Sequence, residues 1–151
     1  VLDAAQLVPR VPRGTLLDVG SGAGIPGLIL SIFVDNPITL CERIAKKTSF
    51  LSDTIRKLKV EDRCRVLNQD VAYINHTYDI ITGRAVTNIS NFLSLTTDQR
   101  HSGTMYILQK GKFMQDELDM AFDKWHFDFT YYESLVSTDS KILVLRNVCE
   151  R

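Results

Sequence analysis

Residues 16–27 read LLDVGSGAGIPG, and this stretch decides the fold. The β-branched and apolar run over residues 15–19 (TLLDV) reads as a buried strand ending in a glycine cluster. Gly22, Gly24 and Gly27 fit the spacing GxGxxG, and Gly20 adds a fourth glycine. Residues without a Cβ let the backbone turn tightly and come close to a ligand. A helix over residues 26–34 follows, with Pro26 in its first turn, where a missing N–H does no harm. Its N-terminal amides face the turn. A glycine turn that closes a strand and opens a helix is the context in which this spacing carries weight.

Outward from that turn the chain alternates. Strands are expected over 38–41, 65–67, 78–82 and 104–109. Helices are expected over 43–58, where Ile44, Thr48, Leu51, Ile55 and Leu58 recur at helical spacing, and briefly over 71–74. Two more follow over 88–97, capped by Thr87 or Asn88, and over 113–125, with Met114, Leu118, Ala121 and Trp125 on one face. Strands over 127–136 and 142–148 are joined by a link too short for a parallel crossover, so they form an antiparallel hairpin. The expectation is one α/β domain over residues 1–151. It is a mostly parallel, doubly wound seven-stranded sheet, Rossmann-like, with a terminal antiparallel hairpin. Residues 2–13 form a short lead-in of one or two helical turns.

Composition excludes some classes. The 151 residues carry 18 basic and 18 acidic side chains, 44% hydrophobic and 24% charged residues, which is ordinary for a soluble globular protein. The longest strongly apolar run, residues 27–34, is far short of the roughly 20 a membrane span needs. A net charge of zero gives no electrostatic footprint for a nucleic acid, so such a partner must rest on local patches. Cys41, Cys64 and Cys149 read as buried strand residues in a reducing compartment. His76, His101 and His126 are scattered, so no metal site is expected. Phe33, Phe50, Phe122 and Trp125 are expected in the core. With no secretory signal, the expected location is cytoplasmic; the first residue is Val1, which fits a trimmed chain.

Two acids bear on the ligand. Asp18 ends the first strand, and a carboxylate there suits a cationic ligand better than a pyrophosphate. S-adenosylmethionine carries a cationic amino group and a sulfonium. Glu42 ends the second strand, about 20 residues beyond Gly22, where an acid accepts ribose hydroxyls. The alternatives are a nicotinamide-dependent oxidoreductase using the GxGxxG turn and an RNA-binding module without chemistry.

The stretches LLDVGSGAGIPGL (16–28), Lys46 within RIAKKTSFL (43–51), YDIITGRAV (78–86) and LQKG (108–111) occur in that order. Together they resemble the bacterial small-subunit ribosomal RNA guanine-N7 methyltransferases, also called glucose-inhibited division protein B. The resemblance implies a class I methyltransferase fold, S-adenosylmethionine as cofactor, and small-subunit (16S) ribosomal RNA or the 30S particle as partner. It implies no membrane, and we expect a monomer. It places Gly20 and Ile25 among the glycine-loop contacts, with Gly22 and Gly24 in the same loop, and Val71 and Ala72 near the adenine. Arg84 falls beside cofactor and RNA, and Lys46 and Lys110 near the mouth of the site. Where many relatives read Arg-Ala-Glu, this chain reads Asp70-Val71-Ala72, and Asp70 is assigned to the adenine amino group. Family members usually carry an extra N-terminal helical segment, which is expected to be absent here.

The chemistry of an N7 target agrees with what is missing. N7 has a free lone pair, so no general base is needed, and catalysis is alignment and electrostatics. Gly83-Arg84-Ala85 stands where an amine methyltransferase needs an Asp/Asn-Pro-Pro-aromatic loop, and no cysteine sits in a loop to attack a pyrimidine. Arg84 and Lys110, both just past strand ends, are the expected catalytic and RNA-binding residues, with Lys46 as a further RNA contact. A donor there should favour guanine O6 or a phosphate and leave N7 free. Arg43, Lys47, Arg56, Lys57 and Lys59 share the helix of Lys46 and can track phosphates.

Overall fold

A computed structural model describes residues 1–84 and 87–151. Seven strands form one sheet: β1 (Leu16–Val19), β2 (Ile38–Glu42), β3 (Cys64–Asn68), β4 (Tyr78–Arg84), β5 (Arg100–Lys110), β6 (Trp125–Glu133) and β7 (Lys141–Glu150). Their spatial order is β3-β2-β1-β4-β5-β7-β6. The first five are parallel, and β7 runs antiparallel to both β5 and β6. Between β1 and β4 the order reverses direction, and this crevice beyond the strand C-termini is where open α/β sheets place ligands.

Strands buried on both faces need two apolar layers, and the period-2 alternation supplies them. Along β5, Tyr106 and Leu108 join one layer while Met105 and Ile107 join the other. The first layer is covered by α4 (Ile89–Leu95) and α5 (Met114–Ala121) through Ile89, Phe92, Leu93, Met114 and Leu118. The second is covered by α2 (Gly27–Phe33) and α3 (Ala45–Leu58) through Leu28, Leu30, Leu51 and Ile55. The lead-in folds as α1 (Leu2–Ala5) and a 3-10 turn (Val8–Arg10), with Leu7 packed in the second layer. Among the described residues, no helix is long and apolar enough to cross a membrane.

Several expectations are corrected. The helix expected over 113–125 stops at Ala121, and Trp125, fully buried, opens β6. Its apolar ring satisfies either reading, and the link Phe122–Lys124 is just long enough to turn. Phe33 and Phe50 are 57% and 52% exposed, on the outer faces of α2 and α3, and Phe122 is partly buried. Ile44 and Leu58, at the ends of the α3 stripe, are exposed, because only its middle faces the sheet. Cys41 and Cys64 are buried, but Cys149 is exposed near the far end of β7, beyond the core. Of the matched segment 83–86, Ala85 and Val86 lie outside the described residues.

Candidate cofactor cleft and acceptor recess

The glycine turn is built on Asp18. This residue is fully buried, opposite Thr82 in the β1–β4 register. Its Oδ1 accepts from the Thr82 hydroxyl at 2.8 Å, and its Oδ2 accepts from Ser21 Oγ at 2.7 Å and from the Gly27 amide at 3.3 Å. One carboxylate thus joins the strand, the turn and the first amide of α2. Gly27 has to be glycine, because a Cβ there would stand 2.6 Å from Asp18 Oδ2 and 2.5 Å from Leu40. Burial pushes the Asp18 carboxyl up to about 6, against the hydrogen bonds that hold it down. The expected contact of Asp18 with a cationic ligand is therefore corrected. Its oxygens are turned inward and engaged, so it shapes the turn from below.

Glu42 does the same from the side. Its Oε1 accepts from the Gly22 amide and its Oε2 from the Ile44 amide, each at 3.0 Å. The Gly20 and Ser21 amides donate to the Cys41 carbonyl at 2.9 and 3.1 Å. Gly22 holds its amide on Glu42 with φ +55, a conformation other L residues rarely adopt. Each Glu42 oxygen keeps a second lone pair, and the residue lines a cleft of about 370 Å³.

Gly20, Glu42, Asp70 and Val71, which the sequence assigned to the cofactor, line that cleft. Asp70 caps the turn Val71–Tyr73 by accepting from the Ala72 amide at 3.0 Å, and it faces Arg43 at 3.7 Å. Gly22, Gly24, Ile25 and Ala72 shape or flank the loops without lining the wall. Lys46 is exposed and off the wall; its neighbour Lys47 lines it instead. Sequence reasoning missed Cys41, Ile44, Thr87 and Leu95, which also line the cleft. The signal for Ile44 was an apolar residue at a turn, which periodicity assigned to the buried stripe. Burial and nearby acids push the Cys41 thiol up to about 12.

Arg84 is not in the cleft. It and Lys110 line a neighbouring recess of about 190 Å³ over the ends of β4, β5 and β7, together with Asp3, Gln109 and Lys141. Arg84 is exposed and, among the described residues, makes no ion pair. Lys110 corrects expectation: only 7% of its side chain is exposed. Its Nζ donates to the Thr87 carbonyl at 2.7 Å and to Glu117 Oε1 at 2.9 Å. That same oxygen accepts from the Ile89 amide, the first of α4, at 3.1 Å. Lys110 and Glu117 thus tie the ends of β5 and β4 to both covering helices, with Thr87 at the cleft wall. Glu117 was unread in sequence because an acid in the first turn of a helix has an ordinary explanation.

Among solved structures, a putative transferase from Pyrococcus horikoshii superposes with a TM-score of 0.75 at 18% identity, over 99% of this chain and 63% of that one. A ribosomal protein L11 methylase from Lactobacillus delbrueckii gives 0.72 at 13% identity, over 95% and 77%. At those identities the fold alone is shared. Curated relatives are nearer. Ribosomal RNA small subunit methyltransferase G of Rhizorhabdus wittichii is 31% identical over 100% of this chain and 72% of its own length. Its counterpart in Rickettsia prowazekii is 30% identical over 98% and 77%. The family model for rRNA small subunit methyltransferase G (GidB) matches residues 1–147, and the chain belongs to that family.

Proposed function

We propose that this chain methylates N7 of a guanine in small-subunit (16S) ribosomal RNA, with S-adenosylmethionine as methyl donor. The observation that carries the reading is the glycine loop fastened to Glu42 beside a cleft walled by Gly20, Asp70 and Val71, in a chain of this family. The donor set fits the cofactor. Glu42 offers spare lone pairs to ribose hydroxyls, Ile44 and Val71 offer apolar surface to a flat base, and Asp70 offers an acceptor to an exocyclic amine. Held by Glu42, Ile44, Asp70 and Val71, the cofactor would supply a methyl on a sulfonium to the N7 lone pair, and the C–S electron pair would stay on sulfur. The protein's part is to align the two and to bear the positive charge that passes to the purine. Arg84 stands where the RNA backbone or O6 would arrive. Lys110 acts by holding Thr87 rather than by touching RNA. The nicotinamide-dependent alternative gains no support from the family.

We read the sheet as the class I, Rossmann-like methyltransferase fold, in one domain over residues 1–151. A monomer in the cytoplasm, acting on free RNA or on the 30S particle, completes the reading. The decisive experiment incubates the purified chain with S-adenosylmethionine and each of those two substrates and maps 7-methylguanine. No 7-methylguanine on either, from folded protein that binds the cofactor, rejects the reading.

A further inference from the structure

Three buried side-chain atoms among the described residues lack a hydrogen-bond partner: Tyr78 Oη, Gln99 Oε1 and Gln109 Oε1. A buried acceptor without a donor is costly and asks for a reason. Tyr78 and Gln99 lie at or just before the N-terminal ends of β4 and β5, away from the cleft. Gln109 lies at the other end. It is the last residue but one of β5, paired with Arg84 on one side and Ile142 on the other, and it lines the recess. The residue is only partly buried and lines the recess, so a turn of its side chain would bring that oxygen to the recess.

Resting on the guanine-N7 reading above, we propose that Gln109 reads the Watson–Crick edge of the target guanine, accepting from N1–H. Three points carry this. The recess adjoins the cofactor cleft across the end of β4, where Arg84 borders one and Thr87 the other. A base gripped by its Watson–Crick edge leaves N7 open, whereas a donor on the major-groove edge would compete for it. Charge also favours the contact as the reaction proceeds. Methylation makes the purine cationic, which makes N1–H a stronger donor, so a neutral acceptor there binds the transition state better than the ground state. Of the nearby cations, Lys110 is paired with Glu117 and Lys141 with Glu133, each at 2.9 Å, so among the described residues only Arg84 opposes that charge. It also sets polarity. Adenine presents an amine where guanine presents O6, and the Arg84 guanidinium disfavours it.

The test compares Gln109→Leu, Gln109→Met and Gln109→Glu in single-turnover methylation of small-subunit RNA or 30S particles, whichever the wild type modifies. Glutamate keeps an acceptor; leucine and the near-isosteric methionine do not, and methionine serves if leucine perturbs folding. The expected result is a loss of roughly 10- to 100-fold in rate without an acceptor. Cofactor affinity should stay within about twofold of wild type, and glutamate should return the rate to within about fivefold. Rates within about threefold of wild type for leucine and methionine overturn the proposal, as does a folded glutamate variant no better than they are. Absence of N7 methylation by the wild type instead overturns the guanine-N7 reading itself.

Discussion

The two sides of β4 are held by different means. Toward β1 and β2, the cleft is fastened through backbone amides: those of Gly22, Gly27 and Ile44 all donate to two carboxylates, Asp18 and Glu42. Toward β5 and β7, the recess is fastened through side chains, with Lys110 on Glu117 and Lys141 on Glu133. Backbone fastening fixes the cofactor side in one geometry. Among the described residues, side-chain fastening leaves Arg84 without an ion pair and Gln109 Oε1 without a donor, on the side where the proposed reading brings the RNA.

The largest effect should come from the carboxylate under the turn. The unfolded chain releases the Asp18 proton near 3.8, while the folded chain keeps it up to about 6. Folded protein therefore binds more protons across that window, and this contribution to stability is full below about pH 4 and gone above 6. Asp18→Asn does not titrate. The stability gap between wild type and variant should move in the variant's favour by about 3 kcal/mol as pH rises from 4 to 7, read by denaturant unfolding. A constant gap would mean that Asp18 is not buried as an isolated acid, and the backbone side would lose its anchor.

Next comes Glu42. Glu42→Ala strands two amides and removes the proposed ribose acceptor, so cofactor affinity should fall by roughly 30- to 100-fold by calorimetry. Glu42→Gln keeps one of the two acceptors and should fall in between. Unchanged affinity in the alanine variant would place the ribose elsewhere.

The contrast also explains what could be read in advance. The glycine-loop side of the cleft is built from short-range grammar: a strand, a glycine turn, a helix start and an acid at the next strand end, all within residues 16–42. Those signals stand in the sequence because the hydrogen bonds they make are local or one strand away. The mostly parallel sheet followed from alternation, and its antiparallel end from the short link between β6 and β7. The recess depended on register. Whether Lys110 is free or engaged turns on how α5 is rotated over β5, and no periodicity reports that rotation. Ile44 and Trp125 failed for a related reason: an apolar residue at an element's edge fits either neighbour.

A smaller effect measures the side-chain fastening. Lys110→Met and Glu117→Ala should each destabilise the fold, and a double-mutant cycle should give a coupling of about 2 kcal/mol, between surface and buried pairs. Effects that simply add would show that the pair does not tie the ends of β4 and β5 to α4 and α5. The recess would then be held by strand pairing alone, and the two sides would differ less than described.

The smallest expected effect is none at all, and it bears on both sides together. N7 needs no deprotonation, and neither the cleft nor the recess is lined by a histidine. The Cys41 thiol in the cleft wall, pushed up to about 12, stays neutral at ordinary pH, and Asp18 has finished ionising by about pH 7. The single-turnover methylation rate should therefore change by less than about threefold between pH 7 and 8.5. A rate that climbs tenfold per pH unit would require an essential proton loss. The acceptor would then be an amine, a ring N–H or a hydroxyl, and a base would be needed, for which Asp3 is the one carboxylate among the described residues of the recess. Gln109 would be reading a different edge of a different base, while the cleft over β1 and β2 would keep its role unchanged.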